Sequence, residues 1–300
     1  MATMTSGNYS NLAASGTTGA LPVVRKLDFN DLKIALQRGL DDFRAVPSHA
    51  IMLCLIYPVV GLLLARLELG YAVLELLFPL AAGFALIGPF AAIGLYELSC
   101  RREQGLDLSA SHAFNVLRSP SFGAMLALGA LLFILFLVWV AVAEAIYIAF
   151  FGYAAAADIP DFARKIFTTP AGWGLIVVGC GVGFLFALVA LCISVISFPM
   201  ILDRHSSMTD AMLTSVRVVQ TNPAQIAAWG LIVAALLVLG SLPAFLGLAI
   251  VIPVLGHATW HLYRRAVEST GASSHETPEP VKKPRYAADF PASLFSRSDR

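Results

Sequence analysis

Long apolar runs separated by short polar segments fill the chain between residues 49 and 263. The longest run, residues 122–151, carries Glu144 as its only charge, and it exceeds the length of about 20 helical residues that crosses a hydrocarbon core of about 30 Å. The pattern predicts an integral membrane protein of the all-α class, a polytopic helical bundle with about six transmembrane helices. The predicted spans are 49–66, 72–98, 122–151, 172–198, 225–241 and 244–262.

Composition and charge agree with that class and orient the chain. Hydrophobic residues make up 58% and charged residues 13%, whereas a soluble domain has about 25% charged residues. If the N-terminus is cytoplasmic and there are six spans, all of the 20 Lys and Arg residues except Arg66, Arg164 and Lys165 lie on the cytoplasmic side. The positive-inside rule therefore predicts that both termini are cytoplasmic. The basic residues flank spans and form no patch with exposed aromatics, so we expect no nucleic-acid partner.

The chain divides into three predicted regions. Residues 1–27 are a disordered N-terminal tail, residues 28–268 form the six-span membrane domain, and residues 269–300 form a disordered cytoplasmic C-terminal tail. The last region is polar and rich in proline, a composition that cannot bury enough apolar surface to fold.

An amphipathic segment before the first span resembles one before the fifth. Apolar or small residues recur at i, i+3, i+4, i+7, i+8 and i+11 from Leu32 and again from Met208, and each segment closes on a proline. This spacing places one apolar stripe on a helix, with Asp31 or Thr209 near its start as a cap. A shorter relative, residues 108–120, precedes the third span.

The even-numbered spans share a proline near their predicted cytoplasmic ends, at Pro89, Pro199 and Pro253. A proline inside a membrane helix frees a backbone carbonyl and bends the axis. Together with the amphipathic segments, this indicates three tandem repeats, each an amphipathic helix followed by a transmembrane hairpin with a bent return span.

Four stretches carry a resemblance to a known family: the amphipathic N-terminal segment, GPFAAIGLYELSCRRE, SFPMILDR and VIPVLGHATWHLYRR. They resemble a bacterial family of predicted integral membrane proteins, domain of unknown function 2189, over about residues 23–266. The resemblance implies the bacterial inner (plasma) membrane and six or so spans. It implies no established activity and transfers no catalytic residue.

Proteins of this type are sometimes labelled as a cytochrome oxidase subunit. A haem–copper core needs six histidine ligands on membrane helices, and this chain has 6 histidines in all. Because His112, His205 and His275 lie outside the predicted spans, the sequence excludes that core. An accessory or assembly role beside a respiratory complex stays open.

His257 and His261 are four residues apart on the sixth span and therefore share one helix face. That spacing suits a metal or a haem. The pair also lies beside Trp260 and Tyr263, just before two arginines, where an interfacial aromatic belt is expected. The interfacial interpretation is preferred, and no metal or cofactor is predicted.

Two glutamates and a row of small residues are further candidates. Glu144 and Glu75 lie near the outer ends of their spans and form a possible intramembrane polar site, since a carboxylate in lipid is costly and often functional. The alternative for Glu144 is an interfacial residue that pairs with Tyr147. Small residues in span four, among them Gly179, Gly183 and Ala187, permit close helix packing, either within the chain or in a homo-oligomer.

Motifs of soluble enzymes are missing from the sequence: it contains no GxxxxGK[ST], HExxH or GxSxG pattern. We therefore expect a protein that is not an enzyme. Two hypotheses stay open: a non-enzymatic accessory, scaffold or assembly factor of a membrane complex, and a small-solute or ion transporter or channel built from the repeated bent hairpins. Scarcity of polar residues in the spans favours the first.

Overall fold

The computed structural model describes residues 21–47, 92–106, 108, 116, 118–153, 159–243 and 245–268. Within these residues the chain is helical and contains no strand, although Val24 and Val267 form one isolated antiparallel bridge. The helices are α1 (Phe29–Ala45), α2 (Ile93–Glu103), α3 (Phe122–Phe151), α4 (Ile159–Thr168), α5 (Pro170–Ser194), α6 (Ser197–Arg204), α7 (Met208–Thr221), α8 (Pro223–Ser241) and α9 (Leu248–Ala266).

Three helical stretches of the described residues are long and apolar enough to cross a membrane: α3, α5 together with α6, and α8. They confirm the predicted spans at 122–151, 172–198 and 225–241. The predicted span 49–66 and most of 72–98 lie outside the described residues, as do the two predicted tails apart from residues 21–27. The all-helical class is therefore confirmed for the described residues, three of the predicted spans are helices of membrane-crossing length, and the number of six spans stays a prediction.

The sixth predicted span, 244–262, differs from the three spans 122–151, 172–198 and 225–241. Its segment forms α9, which is helical through Pro253, but the polar second half of α9 keeps it out of the set of membrane-crossing helices. That half is buried against other helices of the chain. Helices α8 and α9 are separate and meet at a glycine contact, where a Cβ on Gly247 would lie 2.7 Å from the carbonyl oxygen of Gly240.

Helix α1 packs antiparallel along the second half of α9. Near its start Val24 pairs with Val267, and further along a Cβ on Gly39 would lie 2.5 Å from the backbone nitrogen of Ala258. The amphipathic helix therefore covers a neighbouring helix of the same chain with its apolar stripe. Its cap is Asp28, whose backbone N–H donates to Asp31 Oδ2 at 2.8 Å, so the cap lies earlier than predicted.

Helix α7, the predicted counterpart of α1, buries equivalent positions. Ala35 and Gly39 of α1 correspond to Ala211 and Ser215 of α7, and all four are buried. The cap of α7 is Ser207 rather than Thr209, with Ser207 Oγ accepting from the backbone N–H of Asp210 at 3.1 Å. These helices match in burial, but most of the first hairpin and of the second amphipathic segment lies outside the described residues, and the threefold repeat stays a prediction.

The ends of the return spans gather at one end of the molecule. Pro199 lies in the first turn of α6, just after the helix breaks at Val195 and Ile196, and Pro253 lies inside α9. Pro89 lies outside the described residues, but the α2 segment that follows it packs against both α6 and α9. We call this end of the molecule, made of α1, α2, α6, α7 and the second half of α9, the polar end.

Helices α3 and α5 pack side by side through a small residue. A Cβ on Gly183 would lie 2.8 Å from the ring of Trp139, and Trp139 stacks at a tilt on Phe186 with ring centroids 5.5 Å apart. Ala187 is exposed, and no described atom lies within 4 Å of a Cβ built on Gly179. Of the predicted stripe, Gly183 thus faces a helix of this chain.

Candidate functional site

The two histidines of α9 belong to a buried polar cluster formed by three helices, which we call the Asp42 cluster. Its members are Asp42 of α1, Ser99 and Arg102 of α2, and His257 and His261 of α9. Asp42 is 5% exposed, Ser99 1%, His257 1% and His261 7%. The histidines are therefore buried between helices of the chain, and their predicted position at the membrane interface stays a prediction. Trp260 and Tyr263, expected in the same belt, are buried as well.

Helical geometry brings these side chains together. His257 and His261 lie one turn apart on the face of α9 that meets α1. Asp42 continues the buried stripe of Leu32, Ala35 and Gly39 at the next helical position. The tight approach at Gly39 keeps the two helix axes close enough for the short Asp42 side chain to reach α9.

Both oxygens of the Asp42 carboxylate have hydrogen-bond partners. Oδ2 accepts a hydrogen bond from Ser99 Oγ at 2.6 Å and lies 2.9 Å from His261 Nε2, while Oδ1 accepts from Arg102. Ser99 Oγ also lies 2.7 Å from His257 Nδ1. A buried carboxylate needs such partners, because an unpaired charge in the interior is strongly unfavourable.

The hydrogen-bond pattern sets the roles of the two imidazoles. Ser99 has one hydroxyl proton and gives it to Asp42, so His257 Nδ1 donates to Ser99 Oγ; His261 Nε2 donates to Asp42. His257 Nε2 and His261 Nδ1 are then bare, buried acceptors, and neither has a hydrogen-bond partner within the described part of the chain. The cluster thus holds two acceptor lone pairs that a water molecule can occupy.

Burial by itself raises the pKa of Asp42, but the hydrogen bonds from His261 and Ser99 outweigh it. Together with the charges of the neighbouring imidazoles, they lower the pKa of the carboxyl below its ordinary value of 3.8. Asp42 is therefore an anion at neutral pH and joins α1 to α2 and α9.

A second polar group lies beside the Asp42 cluster and involves the end of α6. Tyr263 Oη donates to Asp203 Oδ2 at 2.6 Å and accepts from Arg204 Nε at 3.0 Å. Arg264 pairs with Asp203 at 3.5 Å and with Glu103 at 3.1 Å. Burial first, and then the Asp203 carboxylate, raise the pKa of Tyr263, which stays a neutral donor. Asp203 thus pairs with the end of α9 and not with the histidines.

A metal site is not formed by these groups as they stand. Among the described residues, no set of three or more His, Cys, Asp and Glu side chains has the geometry to hold a metal ion. Asp42 Oδ2 is already shared between Ser99 and His261, and it lies 4.0 Å from His257 Nδ1. The arrangement is that of a hydrogen-bonded structural cluster with spare acceptors.

Comparison with known proteins adds one finding. Residues 77–203 match the family model DUF2189, a predicted integral membrane protein. The resemblance predicted from the sequence is confirmed over that stretch, which is narrower than residues 23–266. No curated protein and no solved structure matches the chain.

The DUF2189 match contains α3, α5 and α6, and it places the chain among integral membrane proteins of unknown function. It also contains Ser99 and Arg102, whereas Asp42, His257 and His261 lie outside it. The Asp42 cluster therefore joins the matched segment to the flanking helices α1 and α9.

Glu144 lies within the DUF2189 match, on α3. Its side chain is half-buried, and its Oε2 is buried without a hydrogen-bond partner in the described residues. Tyr147, the expected partner, stacks on Phe151 with ring centroids 5.4 Å apart and lies near Phe162 of α4. Glu75, the other half of the predicted acidic site, lies outside the described residues.

Sequence analysis missed Asp42, Ser99 and Arg102 as partners of the histidines. A signal for Asp42 was present: the spacing of 3, 4 and 3 from Leu32 through Ala35 and Gly39 places Asp42 on the buried stripe, where an apolar residue is expected. A charged residue at such a position calls for a buried partner. No local pattern marks Ser99, because its role depends on contacts distant in sequence.

Proposed function

We propose that the protein is a non-enzymatic accessory component of a bacterial inner-membrane complex, a scaffold or assembly factor whose polar end faces the cytoplasm. The observation that supports this most is the contrast between its two parts. The spans α3, α5 and α8 are apolar on all sides, while the polar groups concentrate at one end in closed hydrogen-bonded clusters.

Apolar spans of this kind suit an anchor better than a pathway. Only 6% of the residues in the most apolar window of the α5–α6 stretch are buried inside the chain, so most of these residues keep surface that can contact lipid or another membrane protein. A conduction path needs a polar face along a span, and α3 has one charged residue in its 30 positions.

The helices of the polar end are joined to one another by buried hydrogen bonds. Asp42 ties α1 to α9, and Asp203 ties α6 to α9, both through buried side chains. Its outer surface retains exposed apolar residues, including Phe29 at 59% and Leu213 at 49% exposure. Such residues on a rigid surface are suited to contact with a protein partner.

The test is quantitative mass spectrometry of proteins that co-purify with the tagged full chain in mild detergent. We expect a stoichiometric membrane partner, such as subunits of a respiratory complex, and we expect its yield to fall in a Phe29→Ser, Leu213→Ser variant. Lys33→Gln on the exposed face of α1 is the control. Recovery of the chain alone, with no partner at stoichiometric yield, would overturn the accessory role.

Polar substitutions at Leu36 and Phe43 on the apolar stripe of α1 are less informative as a test of docking. Leu36 and Phe43 pack against the core of the chain, so their replacement disturbs folding as well as any external contact. Phe29 and Leu213 avoid this difficulty because both are exposed.

Transport of an ion or small solute is a second candidate, favoured by Glu144. A carboxylate with a buried, unpartnered oxygen in a membrane helix is typical of proton or cation binding. Under this hypothesis Glu144→Gln abolishes flux in proteoliposomes, whereas the accessory hypothesis predicts normal partner recovery from the same variant. Normal flux in Glu144→Gln would exclude a transport role for this residue.

A further inference from the structure

A cavity of about 380 Å³ opens at the polar end, between the segment that precedes α1, α1 itself and the end of α9. Seven side chains line it, five of them basic and two acidic. The basic residues are Arg25, Lys26, Arg38, Arg264 and Arg265. A concave surface with a cationic excess attracts anions more strongly than the same charges on a flat surface.

The acidic residues of this cavity are already engaged. Asp31 accepts from Arg265, and Glu103 pairs with Arg264 at 3.1 Å. Arg25 pairs with Glu268, which lies outside the lining, at 3.4 Å. The cavity's own carboxylates therefore neutralise two of its five cations.

Donors remain unused in the same cavity. Lys26 and Arg38 are exposed, and neither forms an ion pair with a carboxylate in the described part of the chain. Arg265 gives one guanidinium nitrogen to Asp31, but its Nε is buried and has no acceptor among the described residues. Lys26 and Arg38 are therefore two cationic groups in the cavity that an anion can reach.

Contacts with α8 place the cavity at the edge of a membrane span. Asn222 Nδ2 donates to the carbonyl oxygen of Arg25 at 3.0 Å, and Asn222 Oδ1 accepts from the backbone N–H of Leu27 at 2.7 Å. The apolar helix α8 begins at Pro223, the next residue. The cavity therefore lies where the apolar span ends, at the depth of lipid headgroups.

We propose that this cavity binds the phosphate group of an anionic ligand at the membrane surface. Phosphate oxygens accept several charge-assisted hydrogen bonds at once, and arginine forks match them in geometry. Lys26 and Arg38 supply the charges that no carboxylate of the described residues pairs with. The phosphate comes from an anionic phospholipid headgroup or from a soluble phosphate compound, since basic pockets beside membrane helices recognise the first and arginine clusters bind either. The site does not depend on the accessory role.

The test uses the full chain, purified in neutral detergent and stripped of lipid, in two arms. In the first, native mass spectrometry counts phosphatidylglycerol retained against phosphatidylcholine. In the second, calorimetry measures binding of inorganic phosphate. We expect saturable binding in at least one arm. Binding of phosphatidylglycerol alone would identify a site for a lipid headgroup. Binding of inorganic phosphate would identify a site for soluble ligands.

The variant Lys26→Gln, Arg38→Gln should bind about tenfold more weakly, because two charge-assisted contacts are lost. Both positions are exposed, so the fold should survive. A matched control, Lys33→Gln, Arg217→Gln, removes the same charge from exposed positions outside the cavity and should bind like the unmodified chain. Equal losses in both variants, or no saturable binding of either ligand, would overturn the proposal.

Discussion

Asp42 Oδ2 and His261 Nε2 lie 2.9 Å apart in the interior, although 219 positions separate the two residues along the chain. This contact joins the first helix of the described structure to the last. Because of this contact, the amphipathic helix α1 packs on α9 as part of the bundle instead of lying on the lipid surface. The same contact explains why two histidines and an aspartate are buried in a chain with few charged residues.

Replacement of Asp42 should be strongly destabilising. Asp42→Ala leaves Arg102, Ser99 and His261 without their shared acceptor, and breaking a buried charge cluster costs about 3 kcal/mol. Its neighbour Asp41 provides the control, because it is exposed and its pair with Arg44 at 3.7 Å is a surface contact. Asp41→Ala should change the free energy of unfolding by less than about 0.5 kcal/mol. Unfolding in mixed detergent micelles measures both, and equal effects would contradict a structural role for Asp42.

Acid should remove the stabilisation that Asp42 provides. Its pKa in the folded chain lies below the ordinary value of 3.8, so the contribution is present above that value and is lost as the pH falls through the folded-state pKa. We expect the unmodified chain to be more stable than Asp42→Asn at about pH 5 and the difference to shrink below about pH 4. Ser99, Arg102, His257 and His261 face this carboxylate in both chains, so the difference reports Asp42 together with its interactions with these groups. A difference that grows in acid would contradict the assignment.

Gly39 should tolerate no side chain. A Cβ there would lie 2.5 Å from the backbone nitrogen of Ala258 and 2.6 Å from its Cβ, so Gly39→Ala must push α1 away from α9. We expect a loss of about 2 kcal/mol in the free energy of unfolding, the usual range for overpacking. Gly123 at the start of α3 is the matched control, because a Cβ there meets no described atom within 4 Å. Gly123→Ala should be neutral or slightly stabilising, since alanine favours helix. A Gly39→Ala chain as stable as the control would show that α1 does not pack closely on α9.

Gly183 and Ala187 should differ although both belong to the predicted stripe of small residues. Gly183→Leu forces a branched side chain against the ring of Trp139 and should lower the melting temperature by several degrees, as for a loss of about 1 to 3 kcal/mol. Ala187→Leu adds a side chain at an exposed position and should leave the melting temperature nearly unchanged. Light scattering of the Ala187→Leu variant adds a test of self-association. A lower particle mass than that of the unmodified chain would identify the exposed part of α5 as a contact between copies.

The spans could be predicted from the sequence because their signal is local. The predicted span 122–151 has the same bounds as α3, since an uninterrupted apolar run of membrane length has few other interpretations. The sixth predicted span carries a mixed hydropathy signal. Its apolar first half, from Leu248 to Leu255, continues into a polar half that other helices bury, and hydropathy alone cannot distinguish burial in lipid from burial in protein.

The candidate site was predictable only in part. The pairing of His257 and His261 on one face follows from their spacing, but their environment depends on Asp42 and Ser99, which lie on separate helices far away in sequence. Local spacing marks Asp42 as a buried charge but does not identify its partners, and no local pattern marks Ser99. The aromatic neighbours Trp260 and Tyr263 indicate an interfacial position, but the burial of both side chains against other helices does not follow from the local sequence.

The most direct test of this account is a double-mutant cycle between Asp42 and His261, with Asp42→Asn and His261→Gln made singly and together in the full chain. If the two residues interact as described, the double variant should lose less free energy of unfolding than the sum of the two single variants. The difference should be about 1 to 3 kcal/mol, the range for residues in one buried network. Strictly additive losses would mean that α1 and α9 are not joined at this point, and the packed polar end would have to be abandoned.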